Sequence, residues 1–149
     1  MVMRMSVCTF FGHRDCDDKI EESVYKCLEN LICVDNVDTF YVGTQGNFDA
    51  IVYRVLKNLQ KIYTHIKCIV VLAYIPTKND MSREYSESIL PSGIENVPPR
   101  FAIEYRNKWM IKNSDYVVCY ILHSVGGAYK FLKISEKENK KVINLYNKN

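Results

Sequence analysis

Short, continuously apolar runs alternate with longer segments of helical periodicity along most of the chain. Such runs, rich in β-branched and aromatic residues, predict strands. The predicted strands cover residues 5–11, 38–43, 66–75, 115–122 and 141–146. Continuous apolar strands separated by amphipathic helices are typical of a parallel sheet that is covered on both faces. The pattern therefore predicts an α/β protein, a Rossmann-like three-layer sandwich with a mostly parallel sheet of about five strands.

Helices are predicted between these strands. Apolar residues recur at helical spacing between residues 20 and 32 and again, more strongly, between residues 48 and 62. A third helix is expected over residues 100–112, and a fourth opens after Gly126 and Gly127. The second helix is apolar enough either to pack on the sheet or to form a dimer face. Trp109 in the third helix is either a core residue or a platform on which a ligand stacks.

The alternation breaks at residues 76–99, which are polar and contain all four prolines. Loops of this length in a compact domain are usually functional lids or disordered segments. The rest of the sequence shows neither an internal repeat nor an interdomain linker. We therefore expect residues 1–149 to form a single Rossmann-like domain with a long loop at 76–99.

Composition and charge exclude several classes of function. Apolar residues make up 48% of the chain and charged residues 25%, as in globular rather than disordered proteins. The net charge of +3 provides no basic face of the kind that general nucleic-acid binding requires. No run approaches the ~20 apolar residues of a membrane span, and no signal peptide is visible. Neither a membrane nor general nucleic-acid binding is therefore expected.

The six cysteines form neither a CxxC pair nor a Cys/His cluster at zinc spacing, so no metal site and no cofactor are predicted. Most of them lie in apolar runs, where cysteine behaves as a small hydrophobic residue. The expected location is therefore the reducing cytoplasm. Cys16, beside the first candidate ligand turn, is the thiol that we consider as a reactive group.

Three strand-to-helix junctions, at residues 12–15, 43–49 and 123–128, are unusually rich in glycine and in polar residues. In a parallel sheet, all three lie at the carboxyl edge, where ligands bind. Glycines let backbone N–H groups approach an anion, and helix N-termini favour negative charge. The junctions and the third helix therefore predict a site for an anionic small molecule. Its candidate residues are Gly12, His13, Arg14, Gly43, Thr44, Gln45, Gly46, Asn47, Asp49, Arg106, Ser124, Gly126 and Gly127.

Several candidate residues also have a structural interpretation. His13 is either part of the site or a hydrogen-bonded structural histidine. Asp49 falls in the first turn of the second helix, where the helix dipole alone stabilises a carboxylate. If Asp49 faces the ligand, its charge favours a ribose hydroxyl or Arg14 over a phosphate. Arg106 either reaches an anion at the sheet edge or is solvated.

With these residues placed, the chain resembles the YpsA-like family of the SLOG (SMF/DprA-LOG) superfamily. The segments that carry the resemblance are, in chain order, TFFGHRD, FYVGTQGNFDAIVYRVL, VLAYIP, VPPRFAIEYRNKWMI, SDYVV and GGAYKF. The resemblance implies a Rossmann-like fold with a pocket for a nucleotide or nucleotide derivative, lined by the three junctions. It maps the motif positions of the family onto Gly12, His13, Arg14, Gly43, Gly46, Asp49, Arg106, Asn107, Gly126 and Gly127.

One departure from the superfamily bears on activity. Some SLOG proteins resemble phosphoribohydrolases, which cleave the N-glycosidic bond of a nucleoside monophosphate and carry a Pro-Gly-Gly-x-Gly-Thr-x-x-Glu signature. In this chain Lys130 stands at the threonine position and Lys133 at the glutamate position. A cation there opposes the positive charge that develops on the sugar during cleavage. The departure argues against hydrolysis and leaves binding unaffected.

Three functions stay open on the sequence. The first is a sensor or sequestering protein for a nucleotide-derived small molecule, such as an ADP-ribose-like or cyclic nucleotide signal. The second is a nucleotide N-glycosidic hydrolase, with Asp49 and His13 as catalytic residues and Glu95 or Glu104 as a second carboxyl. The third is a protein-binding domain with a vestigial pocket. A homo-oligomer is compatible with each of them.

Overall fold

The structure is a computed structural model that describes residues 5–75, 87–122, 124 and 126–147. Its strands are β1 (Val7–Gly12), β2 (Thr39–Val42), β3 (Lys67–Val71), β4 (Ser88–Ile89), β5 (Tyr116–Tyr120) and β6 (Lys141–Asn144). Its helices are α1 (Glu21–Cys33), α2 (Gly46–Ile62), α3 (Ala102–Lys112) and α4 (Gly127–Lys137). Short 3₁₀ turns cover Asp18–Ile20, Ile94–Asn96, Pro99–Phe101 and Leu145–Asn147.

The strands form one sheet in the order β4-β3-β2-β1-β5-β6, and every neighbouring pair is parallel. The chain winds outward from β1 to β4 and then returns to place β5 on the other side of β1. The strand order therefore reverses between β1 and β5, and such a switch point leaves a crevice beyond the carboxyl ends of the two strands. The predicted Rossmann-like α/β architecture is confirmed.

The described sheet has six strands, where the sequence predicts about five. The additional strand is β4, whose two residues pair with Val70 and Val71 of β3. It lies inside the segment that is predicted as a long loop, because two residues among prolines and polar side chains carry too weak an apolar pattern. Residues 87–99 also contain the 3₁₀ turn Ile94–Asn96. The remainder of the predicted loop, residues 76–86, lies outside the described part of the chain.

The core is divided between the two faces of the sheet. Successive residues of a strand point to opposite faces, so Phe10 packs in the core under α1 and α2 while Phe11 packs in the core under α3 and α4. Six apolar side chains of α2 are buried: Phe48, Ile51, Val52, Val55, Leu56 and Leu59. The apolar face of α2 therefore packs inside the protein, which decides between the two roles predicted for this helix.

The core under α3 and α4 is smaller and lies next to the crevice. Phe131 of α4 stacks on Phe11 of β1, with ring centroids 5.4 Å apart. Trp109 of α3 is half-buried against Tyr41, with ring centroids 5.2 Å apart, so it belongs to this core. The pocket described next opens between these two helices.

Candidate functional site

Gly12 ends β1 at the switch point and is required by packing. A Cβ at this position would lie 2.3 Å from Cγ of Phe48, in the first turn of α2. Such a contact is far inside van der Waals distance, so only glycine lets the strand end press against the helix. The close approach brings the first and second junctions together.

Hydrogen bonds of Asn47 then hold these two junctions in place. Its backbone N–H donates to the carbonyl of Arg14 at 2.8 Å. Its side-chain amide donates to the carbonyl of Cys16 at 2.7 Å and to Oδ1 of Asp18 at 2.9 Å. Gly46 adopts a φ of +86°, and a Cβ there would lie 2.6 Å from Cα of Arg14. Gly46 and Asn47 therefore form the support that fixes the backbone of Arg14.

His13 connects the ends of β1 and β5. Its Nε2 accepts a hydrogen bond of 3.0 Å from the backbone N–H of Leu122. This nitrogen is therefore unprotonated and engaged within the protein. The contact supports the structural interpretation of His13, because a proton-transfer role through Nε2 would require the bond to Leu122 to break.

A pocket of about 220 Å³ lies at the switch point, between α3 and α4 and above the end of β1. Half of the fourteen predicted site residues line it, and they come from all three junctions and from α3. These seven residues are Gly12, Arg14, Gln45, Asp49, Arg106, Asn107 and Gly127. The remaining lining residues are Phe10, Phe11, Ile103, Met110, Ala128 and Phe131. The pocket therefore has a polar floor and rim and an apolar wall.

Arg106 is the centre of the polar floor and is only 1% exposed. Its Nη1 donates to the carbonyl of Val71 at 3.0 Å and, over a longer 3.4 Å, to Oγ1 of Thr44. Its Nε donates to Oδ1 of Asn107 at 2.7 Å. Arg106 is thus neither solvated nor at the sheet surface, as the sequence left open. It is a buried cation that hydrogen bonds to β3, to the second junction and to Asn107 of α3 hold in place.

Asp49 supplies the carboxylate of the floor and is 9% exposed. Its Oδ2 accepts a hydrogen bond of 2.8 Å from the backbone N–H of Gln45. Gly43 makes room for this carboxylate, since a Cβ on Gly43 would lie 2.8 Å from Oδ2. The second junction therefore folds back on itself to place Asp49 near Arg106 at the end of β2.

Burial shifts the pKa values of both side chains of this pair. Desolvation raises the pKa of Asp49 to about 6, although the Gln45 N–H and the charge of Arg106 both oppose the change. Desolvation lowers the pKa of Arg106, and the charge of Asp49 opposes that change. The Asp49 carboxyl therefore titrates near neutral pH, while Arg106 keeps its charge because a guanidinium starts from so high a pKa.

The rim of the pocket carries an exposed cation and a helix N-terminus. Nη2 of Arg14 donates to Oε1 of Gln45 at 3.0 Å. Gly126 precedes α4 with a φ of +100°, which favours glycine, and apart from the adjoining backbone no atom of the described residues lies within 4 Å of a Cβ built on Gly126 or Gly127. Ser124 is exposed beside them. The third junction thus leaves open space at the N-terminus of α4, although His123 and Val125 lie outside the described residues.

Other candidate residues lie apart from the polar floor. Glu104 pairs with Lys130 and Lys108, and the hydrogen bond from Lys130 lowers the pKa of this carboxyl. Glu95 is exposed. Lys133 pairs with Glu136 at 3.3 Å on the surface of α4. The second carboxyl of a glycosidase pair is therefore absent from the described lining of the pocket.

Cys16, the thiol considered as a reactive group, does not have the environment of a reactive cysteine. The side chain is buried, and burial together with the neighbouring carboxylates of Asp18 and Asp15 raises its pKa to about 11. A reactive cysteine requires the opposite shift, toward the thiolate. Its position beside the Gly-His-Arg-Asp turn suggested reactivity, but the acidic residues of this turn disfavour the negatively charged thiolate.

The sequence did not identify the apolar wall of the pocket. Phe11 directly precedes the first glycine, and Ile103 and Met110 lie three residues before and four residues after Arg106 on α3. Residues at these spacings share one face of a helix. The helical register of Arg106 is therefore the signal that could have found them, although the same register also predicts ordinary core positions.

The described residues contain no group of three or more His, Cys, Asp or Glu side chains that could hold a metal ion. The six cysteines are free thiols, and five of them are buried. Among the helices that the structure describes, none has the length and apolar character to cross a membrane.

The fold and the pocket define an α/β protein of the Rossmann-like class with a crevice at the switch point. Among solved structures, it is similar to DNA processing protein A (DprA) from Streptococcus pneumoniae, with a TM-score of 0.66 and 16% sequence identity. The match covers 93% of this chain and 49% of that chain, so this chain spans about half the length of DprA. At this identity the similarity concerns the fold alone. No protein-family model and no curated protein matches the chain.

Proposed function

We propose that the protein binds a nucleotide or nucleotide-derived small molecule at the carboxyl edge of its sheet, as a sensor or a sequestering protein. The observation that carries the proposal is the pocket at the switch point, where a buried Arg106 and Asp49 form the floor. Arg14 and the open N-terminus of α4 form a rim suited to phosphate. The apolar wall between α3 and α4 suits a base or the carbon face of a sugar.

Membership of the YpsA-like family of the SLOG superfamily is part of this proposal. Its support is the ordered set of segments from TFFGHRD to GGAYKF and a fold neighbour, DprA, that is a namesake of the superfamily. An ADP-ribose-like or cyclic nucleotide signal is the expected ligand class. The cytoplasmic location and a homo-oligomer stay predictions, the latter to be checked by light scattering of the purified protein.

Thermal unfolding in the presence of AMP, NAD, ADP-ribose and cyclic ADP-ribose tests the proposal. A ligand at a hundred times its dissociation constant stabilises the folded state by about 2.7 kcal/mol, which corresponds to a midpoint shift of about 5–10 °C. Chromatography of each mixture then shows whether the nucleotide is intact. Intact ligand with a clear shift supports a sensor or sequestering protein, and no shift with any of the four would contradict nucleotide binding.

Variants of the rim locate the binding. Arg14→Ala removes the exposed cation, and Gly127→Val places a side chain in the open space at the start of α4. We expect both variants to fold and to lose at least tenfold in affinity. The matched controls are Arg54→Ala and Ala50→Val, which change an exposed arginine and an exposed residue near the start of α2. Unchanged affinity in both rim variants would place the ligand elsewhere.

Hydrolysis of a nucleotide N-glycosidic bond is the second candidate function. It is favoured by one observation, the Asp49 carboxyl in the pocket floor, whose pKa of about 6 suits proton transfer near neutral pH. The cations Lys130 and Lys133 at the signature positions oppose it. Free base released from AMP and abolished by Asp49→Asn would establish the hydrolase, and complete recovery of AMP after prolonged incubation would exclude it for this substrate.

A further inference from the structure

Three polar atoms of the pocket floor have no hydrogen-bond partner among the described residues. They are Oδ1 of Asp49, Nη2 of Arg106 and Nδ2 of Asn107, none of which forms a hydrogen bond with a described residue. Asn107 and Asp49 are each 9% exposed and Arg106 is 1% exposed. In the described part of the chain, no fully enclosed side-chain nitrogen or oxygen lacks a partner. Because the three side chains line the pocket, these atoms reach its surface.

The remaining polar atoms of the three side chains are fixed, so the spare atoms are fixed as well. Oδ2 of Asp49 is held by the Gln45 N–H, and Nη1 of Arg106 by the Val71 carbonyl. Oδ1 of Asn107 accepts from Nε of Arg106, which turns its Nδ2 away from the guanidinium. The floor therefore presents one acceptor, Oδ1 of Asp49, and two donors, Nη2 of Arg106 and Nδ2 of Asn107, in a preorganised arrangement. Two of these groups carry opposite charges, the Asp49 carboxylate and the Arg106 guanidinium.

This set of groups selects a hydroxyl over a charged group. A phosphate at the floor would be attracted by Arg106 and repelled by Asp49, and an amine would be attracted by Asp49 and repelled by Arg106, so the two opposite charges largely cancel for either ionic group. A hydroxyl both donates and accepts, so it satisfies a carboxylate oxygen and a guanidinium or amide N–H at once. Two donors and one acceptor match two adjacent hydroxyls. Each hydroxyl oxygen accepts a hydrogen bond from one N–H of the floor, and one of the two hydroxyls donates its O–H to the Asp49 oxygen.

The position of the rim identifies the rest of the molecule. Arg14 and Gly127 line the pocket at its rim, where a phosphate would meet a cation and the N-terminus of α4. A pentose phosphate carries a vicinal diol at one side of the sugar and a phosphate at the other, so it can place its diol on the floor and its phosphate at the rim. The apolar wall of Ile103 and Met110 then contacts the carbon face of the sugar or a base attached to it.

We propose that Asp49, Arg106 and Asn107 form a subsite for the vicinal 2′- and 3′-hydroxyls of a ribose 5′-phosphate unit. The inference rests on the proposed nucleotide binding and adds the orientation of the ligand and the class of sugar. It assigns the selection of ribose over deoxyribose to the buried floor and the binding of phosphate to the rim. Nucleotides that lack either hydroxyl, including cyclic nucleotides in which one of them is esterified, are therefore poor ligands. This narrows the proposed ligand class to molecules with a free ribose diol, such as ADP-ribose-like nucleotides.

Calorimetric titration of the full chain with AMP, 2′-deoxy-AMP and 3′-deoxy-AMP tests the subsite. Losing one hydroxyl leaves a charged or amide group of the floor unpaired, so each deoxy analogue is expected to bind about 10- to 100-fold more weakly than AMP. Equal affinities for the three nucleotides would overturn the subsite and leave the proposed function standing. Absence of AMP binding would also overturn it, and the NAD and ADP-ribose titrations would then decide the proposed function separately.

Asp49→Asn provides the matching protein variant. The asparagine keeps an oxygen for the Gln45 N–H and turns an amide, a donor, toward the pocket. We expect its preference for AMP over the deoxy analogues to fall to about threefold or less. Asp35→Asn, an exposed carboxylate at the amino edge of the sheet, is the control and retains the full preference. A full preference in Asp49→Asn as well would overturn the assignment of Asp49.

Discussion

At the residue scale, the glycines of the site fall into two groups with different physical reasons. Gly12 and Gly46 are required by the protein itself, because a Cβ would collide with Phe48 or with the backbone of Arg14. At Gly127 no described residue beyond the adjoining backbone lies within 4 Å of where a Cβ would be. No contact with the described residues therefore explains the absence of a side chain at Gly127, and a bound phosphate would explain it.

This difference predicts opposite effects of the same substitution. Gly12→Ala forces Phe48 to move and is expected to lower the free energy of unfolding by about 1–3 kcal/mol or more. Gly127→Ala meets no atom and gains helix propensity, so we expect a change between zero and about +1 kcal/mol. Urea unfolding of both variants measures the two values. Equal destabilisation by the two alanines would contradict the packing role assigned to Gly12.

The Asp49 carboxyl links stability to pH. Its pKa is raised from 3.8 to about 6 on folding, so between these pH values the folded state binds more protons than the unfolded state. The stability that this group contributes is fully present below about pH 4 and is lost as the pH rises through 6. Above that pH, the folded protein holds a buried carboxylate that only Gln45 and Arg106 compensate.

Asp49→Asn removes this titration. We expect the free energy of unfolding of the variant, relative to that of the wild type, to rise by up to ~3 kcal/mol between pH 4 and pH 7. Urea unfolding of both proteins at pH 4, 5, 6 and 7 measures the difference. For the control Asp35→Asn, the difference in unfolding free energy from the wild type should stay constant over this pH range. If the pH profiles of unfolding free energy for Asp49→Asn and the wild type are parallel, the pKa of Asp49 is not raised.

At the scale of elements, the site depends on how the first two junctions are tied together. The turn after β1 and the start of α2 share Asn47, whose backbone and side chain make three hydrogen bonds to residues 14, 16 and 18. The 3₁₀ turn Asp18–Ile20 lies between this tie and α1. Asn47 therefore acts on the pocket through the position of Arg14, without lining the pocket.

Asn47→Ala is expected to lower the free energy of unfolding by about 1–3 kcal/mol, because the side-chain hydrogen bonds to the Cys16 carbonyl and to Asp18 are both lost. Asn58→Ala, on the exposed side of the same helix, should change it by less than about 0.5 kcal/mol. Thermal unfolding and AMP titration of both variants separate stability from binding. If Asn47→Ala is as stable as the wild type, the side-chain hydrogen bonds of Asn47 do not contribute to the stability of the fold.

At the scale of the whole molecule, the two faces of the sheet differ in how they are packed. The buried residues of α1 and α2 are apolar apart from Asp49. In α3 the buried set includes Arg106 and Asn107, and in α4 it consists of Phe131 and Ser135. Apolar burial stabilises each layer in proportion to its area. The pocket therefore borders the layer whose helices bury fewer apolar side chains and are less strongly stabilised.

Hydrogen exchange should reveal this asymmetry. We expect amides in the middle of α1 and α2 to exchange at least tenfold more slowly than those of α3 and α4, and a bound nucleotide to slow exchange mainly in α3 and α4. Mass spectrometry of peptides from the four helices measures these rates with and without AMP. Uniform protection of all four helices would contradict the difference in packing.

Much of the fold and half of the lining of the candidate site could be predicted from local patterns. Strand and helix signals depend on neighbouring residues, so β1, α2 and β5 were predicted within a few residues of their observed ends. β4 was missed because two residues carry almost no periodic signal. The apolar wall was missed because the sequence pattern of Ile103 and Met110 is the same whether a core or a pocket lies opposite them.

The sequence by itself determined the α/β class, the alternation of parallel strands and helices, and the glycine-rich junctions at one edge of the sheet. Hydrophobic periodicity encodes these features locally. Only the tertiary structure decided that β5 pairs with β1, that Arg106 is buried beside Asp49, and that Cys16 is buried with a raised pKa. Burial and the pKa of a side chain depend on groups that are distant in sequence, and these groups meet only when the sheet and its two helical layers assemble.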